Sequence, residues 1–258
     1  IGKNFNLFQN CRTKKIMSKK SQLSLNHKLM VNNITVQDNN SVIKFLKTNP
    51  ILTNSKKVKN FEEMWSKWLG VKYSVFVNSG SSANLVSISY LRTLFSSGEI
   101  IVPTLTWVSD ITSILYANFK PVFVDINLDT LSLDDSKLEK VINKNTRAIF
   151  LTHLLGLNGL TDKILNLVKK NKIFLIEDVC ESHGAKFHNK KLGTFGDISN
   201  FSFYYAHHMS TIEGGMVCTN QKDIYEKIRI MRGHGLLRES TDKNLKIKKI
   251  KQFKSLNK

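Results

Sequence analysis

Two adjacent histidines, His207 and His208, lie between a strand-like run and a Glu-Gly-Gly triplet that begins at Glu213. A free imidazole has a reference pKa of about 6.5 and can accept a proton at neutral pH. Adjacent side chains point in different directions in a helix or a strand, so a metal ion shared by the two rings is disfavoured. Two packing histidines are the alternative. We take His207 as the candidate base and His208 as a supporting residue near substrate, and we predict no metal site.

A second candidate group follows the strand-like residues 74–77, where the chain reads NSGSSAN before an apolar helical pattern. Gly80 would let backbone N–H groups approach a phosphate, and the Ser81 hydroxyl could approach the same phosphate. The positive end of the helix dipole favours the same anion. An ordinary serine N-cap explains these residues without a ligand. The residues alone leave both interpretations open.

Further candidates lie just beyond other predicted strands, where ligands of open α/β sheets collect. Asp178 follows residues 173–177, and a solvated acidic strand end is its alternative interpretation. Trp107 follows residues 100–102, and a buried core residue is the alternative to a ring stacked on a ligand. His234 lies between two glycines and could contact substrate, or the glycines could simply end a helix.

These candidates need a scaffold that brings strand ends together. From about residue 60, short β-branched runs alternate with helical patterns, which indicates an α/β fold with a mostly parallel sheet covered by helices. The seven predicted strands are residues 74–77, 100–102, 121–125, 148–153, 173–177, 198–204 and 216–219. The five predicted helices are residues 82–95, 109–117, 135–142, 161–170 and 222–231.

The formal net charge of +19 is concentrated at the ends of the chain. Residues 1–60 carry twelve Lys/Arg and one Asp, and residues 241–258 carry seven Lys and one Asp, whereas the other residues are nearly balanced. Solvated tails explain this pattern, and contact with an oligomeric partner, a phosphorylated substrate or nucleic acid is the alternative. We predict a poorly ordered segment at 1–40, a large domain at 41–240, a truncated C-terminal part at 241–258 and no nucleic-acid partner.

The cysteines and apolar runs predict the compartment. Cys11, Cys180 and Cys218 are too few and too scattered for a disulfide framework or a Cys-x-x-Cys metal site, which favours a reducing compartment. No run reaches the roughly 18 apolar residues of a membrane span, and no signal-peptide core follows the basic start. We expect a cytoplasmic protein with no membrane partner. Because the chain begins at Ile1 and ends in a Lys-rich run, we expect a piece of a longer protein.

The run from Ser202 to Gly215 resembles the cofactor segment of the sugar-nucleotide aminotransferases, which are fold-type I enzymes that use pyridoxal 5'-phosphate (PLP). In that family a lysine stands five residues after the serine, and here the position holds His207. A lysine amine bonds covalently to PLP, whereas an imidazole cannot do so and can still act as a base. The substitution resembles the 4-keto-6-deoxyhexose 3-dehydratase branch, and HHMSTIEGGM is similar to the GDP-4-keto-6-deoxymannose 3-dehydratase type.

The resemblance covers about residues 45–240 and implies a fold-type I large domain, with a seven-stranded sheet and helices on both faces. It implies PLP or pyridoxamine 5'-phosphate (PMP) bound without a covalent link. Gly80, Ser81 and Ser202 would contact the phosphate, and Trp107 would stack on the pyridine face. From the matching run EDVCESHGA, Asp178 would face the pyridine nitrogen and Glu181 the ring hydroxyl.

The activity implied by the resemblance is that of a PLP-dependent lyase in deoxysugar and O-antigen (lipopolysaccharide) biosynthesis. It would remove the C-3 hydroxyl of a nucleotide-linked 4-keto-6-deoxyhexose, with glutamate as amino donor and a homodimer sharing the active site. An iron–sulfur hexulose 3-dehydrase is the first alternative, although such clusters usually need four cysteines and the chain has three. A sugar aminotransferase-like protein and a catalytically inactive PLP-fold binding protein are the others. The residues do not specify which nucleotide or sugar is used.

Overall fold

Seven strands form one sheet in the computed structural model, which describes residues 32–256. The strands of the described residues are β1 Tyr73–Val77, β2 Glu99–Pro103, β3 Lys120–Val124, β4 Ile126–Asn127, β5 Ser132–Leu133, β6 Thr146–Thr152, β7 Phe174–Asp178, β8 Lys186–Phe187, β9 Lys190–Lys191, β10 Ile198–Ser202 and β11 Gly215–Thr219. The sheet has the order β1-β11-β10-β7-β6-β2-β3, and the two-residue strands form the separate pairs β4–β5 and β8–β9. All seven predicted strands are present, each shifted by no more than two residues at either end.

The sheet is mostly parallel, as predicted. β3, β2, β6, β7 and β10 pair in parallel, whereas β11 is antiparallel to both of its neighbours, β10 and β1. Six strands therefore run in one direction. Their carboxyl ends meet at one edge of the sheet, which is where ligands collect in open α/β sheets.

Eight α-helices accompany these strands in the described residues. They are α1 Val36–Leu46, α2 Lys56–Leu69, α3 Gly80–Arg92, α4 Val108–Tyr116, α5 Asp135–Val141, α6 Asp162–Asn171, α7 Lys222–Arg232 and α8 Lys243–Leu256, with a 3-10 turn at Leu237–Glu239. The five predicted helices are confirmed, whereas α1, α2 and α8 were not predicted from the sequence. In α2 the apolar residues Phe61, Trp65 and Leu69 recur every four residues, which is a helical signal, but the surrounding lysines were attributed to a basic tail.

Alternate residues of the central strands pack into two separate apolar clusters. Ile149 and Leu151 of β6 join the cluster that contains Trp65 of α2, whereas Ala148 and Phe150 join the cluster on the opposite face. Successive side chains of a strand point to opposite faces, so the sheet is buried on both sides. The prediction of helices on both faces is confirmed.

The predicted domain limits remain a prediction. Residues 1–31 lie outside the described part, so the segment 1–40 can be compared with the structure only from residue 32. There α1 runs from Val36 to Leu46 and crosses the boundary that was placed at residue 41. Its N-cap Thr35 and Asp38 form a reciprocal capping box. The Lys-rich C-terminal segment contains α8.

Glu177, the second-last residue of β7, has a buried side chain that contacts several neighbouring groups. Its side chain is 0% exposed. It accepts three backbone N–H groups, from Gly193 at 2.8 Å, Phe195 at 2.9 Å and Gly196 at 2.7 Å, and it contacts His153 Nε2 at 3.2 Å. One carboxylate thus accepts the hydrogen bonds of three backbone N–H groups in the loop between β9 and β10. This loop sets the position at which β10 enters the sheet.

Replacing Glu177 by Ala should destabilise the protein by at least about 3 kcal/mol, because three buried backbone N–H groups would lose their acceptor. Urea unfolding followed by circular dichroism measures the change. Glu139→Ala, at an exposed position of α5, is the matched control and should stay within about 0.5 kcal/mol of the parent. Equal stability of the two variants would contradict this role for Glu177.

Candidate active site

The parallel register brings polar side chains from several elements to one edge of the sheet. Thr152 at the end of β6 pairs with Asp178 at the end of β7, and Asn200 of β10 pairs with the same Asp178. Ser202 is the last residue of β10, two residues after Asn200. All four side chains are buried. Residues that are up to 50 positions apart in the sequence therefore lie at one edge of the sheet, which is called the pocket edge below.

The turn between β1 and α3 packs closely against β10 and β11 beside Ser202. A Cβ atom at Gly80 would lie 2.7 Å from Ser202 Cβ, and one at Gly215 would lie 2.2 Å from the Ser79 carbonyl oxygen. Only glycine fits at either position. Ser79 accepts the Ser82 N–H at 3.0 Å, so the serine N-cap interpretation is correct for Ser79.

This geometry fits a phosphate group. Gly80 begins a helix of 13 residues, and Ser81 is exposed in its first turn. The free N–H groups of that turn and the helix dipole both favour an anion, and the absence of a Cβ at Gly80 keeps Ser202 Oγ accessible from the helix end. Helix capping by Ser79 and phosphate binding at Gly80 are therefore compatible.

The acidic candidates lie on the loop that leaves β7. Asp178 is buried, its Oδ1 accepts the Cys180 N–H at 2.9 Å, and its Oδ2 lies 3.4 Å from the amide nitrogen of Asn84. Glu181 is partly exposed and accepts the Leu155 N–H at 3.2 Å. A solvated strand end does not describe Asp178, since its carboxylate is held by protein donors.

Trp107 is not a core residue. It is 62% exposed and occupies the N-cap position of α4, just beyond the end of β2. Its ring is therefore free to cover a ligand at the edge of the sheet. The alternative of a buried tryptophan is excluded.

His207 lies in the turn after β10 and is partly buried. Its backbone N–H donates to the Tyr204 carbonyl at 2.9 Å, and its ring centre is 6.3 Å from that of His183. Burial lowers the pKa of His207, the carboxylates of Glu181 and Asp178 oppose this shift, and His208 adds to it. The net direction is downward, so the ring is neutral at pH 7.

The neighbouring histidines have different environments. His208 is exposed, and its ring centre is 5.4 Å from that of His183. His183 packs edge-on against Trp65 and Phe201. Burial, with smaller effects of His208 and His207, lowers the pKa of His183 to about 3. His183 is thus a neutral packing residue beneath the histidine pair.

His234 stands apart from this group. It follows Gly233, the C-cap of α7, and has a backbone φ of 63° in a turn that Gly235 closes by donating to the Ile230 carbonyl at 2.8 Å. The structure thus contains the helix-terminating turn that was the alternative for this segment. Within residues 32–256 we find no hydrogen bond or ring contact that joins His234 to the pocket edge, and its substrate contact remains a prediction.

A buried polar network below the pocket was missed by the sequence analysis. The side-chain amide of Asn84 in α3 contacts Ser109, Asp110 and Asp178, while Asn84 Oδ1 accepts from Asn200 at 2.9 Å. Polar residues at positions of α3 and α4 that face apolar strands were the available signal. Their helical spacing was used only to place the helices.

The two described cysteines are buried or partly buried thiols. Burial raises the pKa of Cys180 well above its ordinary value, with a further contribution from the charge of Asp178. Burial also raises the pKa of Cys218 to about 12. Both thiols are therefore protonated at neutral pH. Cys11 lies outside the described residues.

Within residues 32–256, no group of three or more His, Cys, Asp or Glu side chains is arranged to hold a metal ion. None of the helices in the same range is long and apolar enough to cross a bilayer.

The sheet order and the polar edge together define the large domain of a fold-type I PLP enzyme. Residues 32–251 match the DegT/DnrJ/EryC1/StrS aminotransferase family, and the chain belongs to this family. The resemblance proposed from the sequence is confirmed.

Relatives within the family include dehydratases. The GDP-4-keto-6-deoxy-D-mannose 3-dehydratase of Escherichia coli O55:H7 is 38% identical over 199 residues, which cover 75% of this chain and 51% of that protein. The structure of the E. coli GDP-4-keto-6-deoxy-D-mannose-3-dehydratase with bound hydrated PLP matches with a TM-score of 0.78 and 35% identity. A GDP-4-keto-6-deoxymannose-3-dehydratase with a trapped PLP-glutamate geminal diamine also matches with a TM-score of 0.78, at 33% identity. Both structures match over 83% of this chain and 56% of theirs. The chain thus spans about half the length of the relatives it matches.

The electrostatic environment of His207 leads to a test by NMR. We expect its ring to titrate below about 6.5, and Glu181→Gln should lower its pKa further, because the Glu181 carboxylate favours the charged imidazole. Glu139→Gln, on exposed α5, is the control and should leave the titration unchanged. A higher His207 pKa in Glu181→Gln would contradict the electrostatic effect assigned to Glu181.

Proposed function

We propose that this chain forms the cofactor-binding part of a PLP/PMP-dependent 3-dehydratase acting on a nucleotide-linked 4-keto-6-deoxyhexose. The observation that carries the proposal is the segment of residues 202–215 at the pocket edge, which contains His207 and no lysine. The dehydratase relatives support the reaction class, and the name of the first relative supports a GDP-linked sugar as substrate.

Residues of three elements would hold the cofactor without a covalent bond. Gly80 and Ser81 at the start of α3 and Ser202 at the end of β10 would bind the phosphate. Asp178 would hold a proton on the pyridine nitrogen, and Trp107 would cover one ring face. Glu181 would lie near the ring hydroxyl.

Bound PMP would supply an amine for the sugar ketone and a ring that accepts electrons. His207 would take up the proton that leaves the cofactor methylene carbon. Its lowered pKa keeps the accepting nitrogen free at neutral pH, which is the requirement for a general base. His208, which is exposed beside it, would contact the substrate. His234 would contact the substrate from the end of α7.

The exposed face of α4 supports a homodimer with a shared site. Val108, Leu115 and Tyr116 are 65%, 53% and 78% exposed, and they follow Trp107 on the same helix. Apolar surface of this kind beside a ligand pocket is typical of a protein interface. A second copy covering α4 would then complete the pocket. We place this dimer in the cytoplasm, with glutamate as amino donor, in the synthesis of an O-antigen deoxysugar.

PLP should bind without a covalent link to the protein. Borohydride reduction followed by mass spectrometry should find no pyridoxyl-lysine, and dialysis should remove the cofactor. His207→Lys is the positive control, since an amine at this position can bond to PLP and should become labelled. A stoichiometric adduct on any lysine of the parent chain would exclude the non-covalent site.

His207→Asn should lower the rate of dehydration by about 10²- to 10⁴-fold, because the amide cannot accept the proton. The assay incubates the protein with PMP, glutamate and GDP-4-keto-6-deoxymannose and measures the 3-deoxy sugar. His188→Asn is the control, since His188 is exposed and pairs with Asp162 away from the pocket edge. A 4-amino sugar as product would instead indicate an aminotransferase, and activity only with an electron donor would indicate the iron–sulfur type. Cofactor binding without any turnover would indicate a binding protein.

A further inference from the structure

Asp110 is a buried carboxyl group with no part in the chemistry described above. It lies in the first turn of α4, three residues after Trp107, and it is 0% exposed. An acidic residue in a first helical turn normally faces water and interacts with the helix dipole. Burial of this side chain needs another explanation.

Asp110 and Asp178 share a hydrogen-bond donor. Its Oδ1 accepts from Asn84 Nδ2 at 2.6 Å, and its Oδ2 accepts from Thr152 Oγ1 at 3.0 Å and from Thr106 Oγ1. The same Asn84 nitrogen lies 3.4 Å from Asp178 Oδ2. One amide nitrogen thus contacts both carboxyl groups, which places Asp110 close to Asp178.

Two carboxylates cannot both be ionised in such a site. In residues 32–256 no lysine or arginine forms an ion pair with Asp110 or Asp178, and the surrounding side chains of Asn84, Thr106 and Thr152 are neutral. Like charges in contact away from water force one group to keep its proton.

The proton belongs on Asp110. Burial raises the pKa of Asp110 well above its ordinary value, and the charge of Asp178 is the second cause. Asp178 in turn accepts the backbone N–H of Cys180, a donor that stabilises its ionised form. The other titratable groups near the pair are the Cys180 thiol, whose pKa is raised by burial and by the nearby carboxyl groups, the Glu181 carboxylate, and His207, whose pKa burial lowers against the opposing charges of Glu181 and Asp178.

We propose that Asp110 is a positioning residue that keeps one proton and shares it with Asp178, so that the pair carries a single negative charge on the carboxylate at the pocket edge. The assignment of a cofactor to this edge rests on the proposed function, whereas the proton-sharing pair does not. The retained proton would let the Asp110 side chain donate a hydrogen bond to Asp178. The carboxylate of Asp178 would then keep the negative charge that faces a protonated ligand nitrogen.

The first test measures the stability of the cofactor-free full chain between pH 5 and pH 7.5. A raised pKa means that the folded state binds more protons than the unfolded state above about pH 3.9, so stability falls as the pH rises toward the folded pKa. Compared with Asp110→Asn, the unfolding constant of the parent should rise by up to about tenfold per pH unit. Asp129→Asn, at an exposed loop position, should show the slope of the parent. Parallel slopes for the parent and Asp110→Asn would overturn the proposal.

An infrared measurement on the parent chain keeps the test independent of how well the variant folds. The C=O band of a protonated carboxylic acid should be present at pH 7 and shift in D₂O. It should be absent from Asp110→Asn and present in Asp129→Asn. Absence of the band in the parent would also overturn the proposal.

The second test measures the dissociation constant of PLP by fluorescence. Asp110→Asn keeps a hydrogen-bond donor and should stay within about threefold of the parent, whereas Asp110→Ala should weaken binding by about tenfold or more. Tight binding by Asp110→Ala would overturn the positioning role. If the parent binds no PLP at all, the proposed function fails, and the stability and infrared measurements still decide whether the pair shares a proton.

Discussion

The parallel pairing of β6, β7 and β10 is the constraint on which the rest of the site depends. Because these strands run in the same direction, Thr152, Asp178 and Ser202 reach the same edge without any long-range contact between their own side chains. A shift of one residue in the β7–β10 pairing would turn Asp178 to the opposite face and remove it from the pocket edge. The buried carboxylate of Glu177, which fixes the loop before β10, therefore acts on the site through the strand register.

The polar groups at this edge of the sheet are largely removed from water, and this desolvation costs free energy of folding. Each buried donor or acceptor there must find a partner within the protein. Asn84 and Asn200 answer this requirement with a chain of amide contacts that joins α3, α4 and the sheet. The network therefore both holds the helices on the sheet and fixes the carboxyl groups that a ligand would meet.

Much of this arrangement could be predicted from the sequence, for identifiable physical reasons. Alternation of β-branched runs and helical patterns predicted all seven strands, and the rule that ligands collect beyond strand ends selected Asp178 and Trp107. The lysines of α2 concealed its apolar stripe. Asp110 was not found, because an acid in a first helical turn is common on helix surfaces and its burial depends on the packing of α4 against α3.

The exchange of lysine for histidine at position 207 changes what the surrounding protein must do. A covalent bond would hold the cofactor whatever its other contacts, whereas under the proposed function a free imidazole would leave binding to the helix dipole at Gly80, the hydroxyl of Ser202 and the charge of Asp178. These groups must then be fixed before a ligand arrives. The absence of space for a Cβ at Gly80 and Gly215 and the two-sided support of Asp178 meet that need. Under the proposed function, this close packing would hold the ligand in place without a covalent bond, and His207, in a turn after β10, would move the proton.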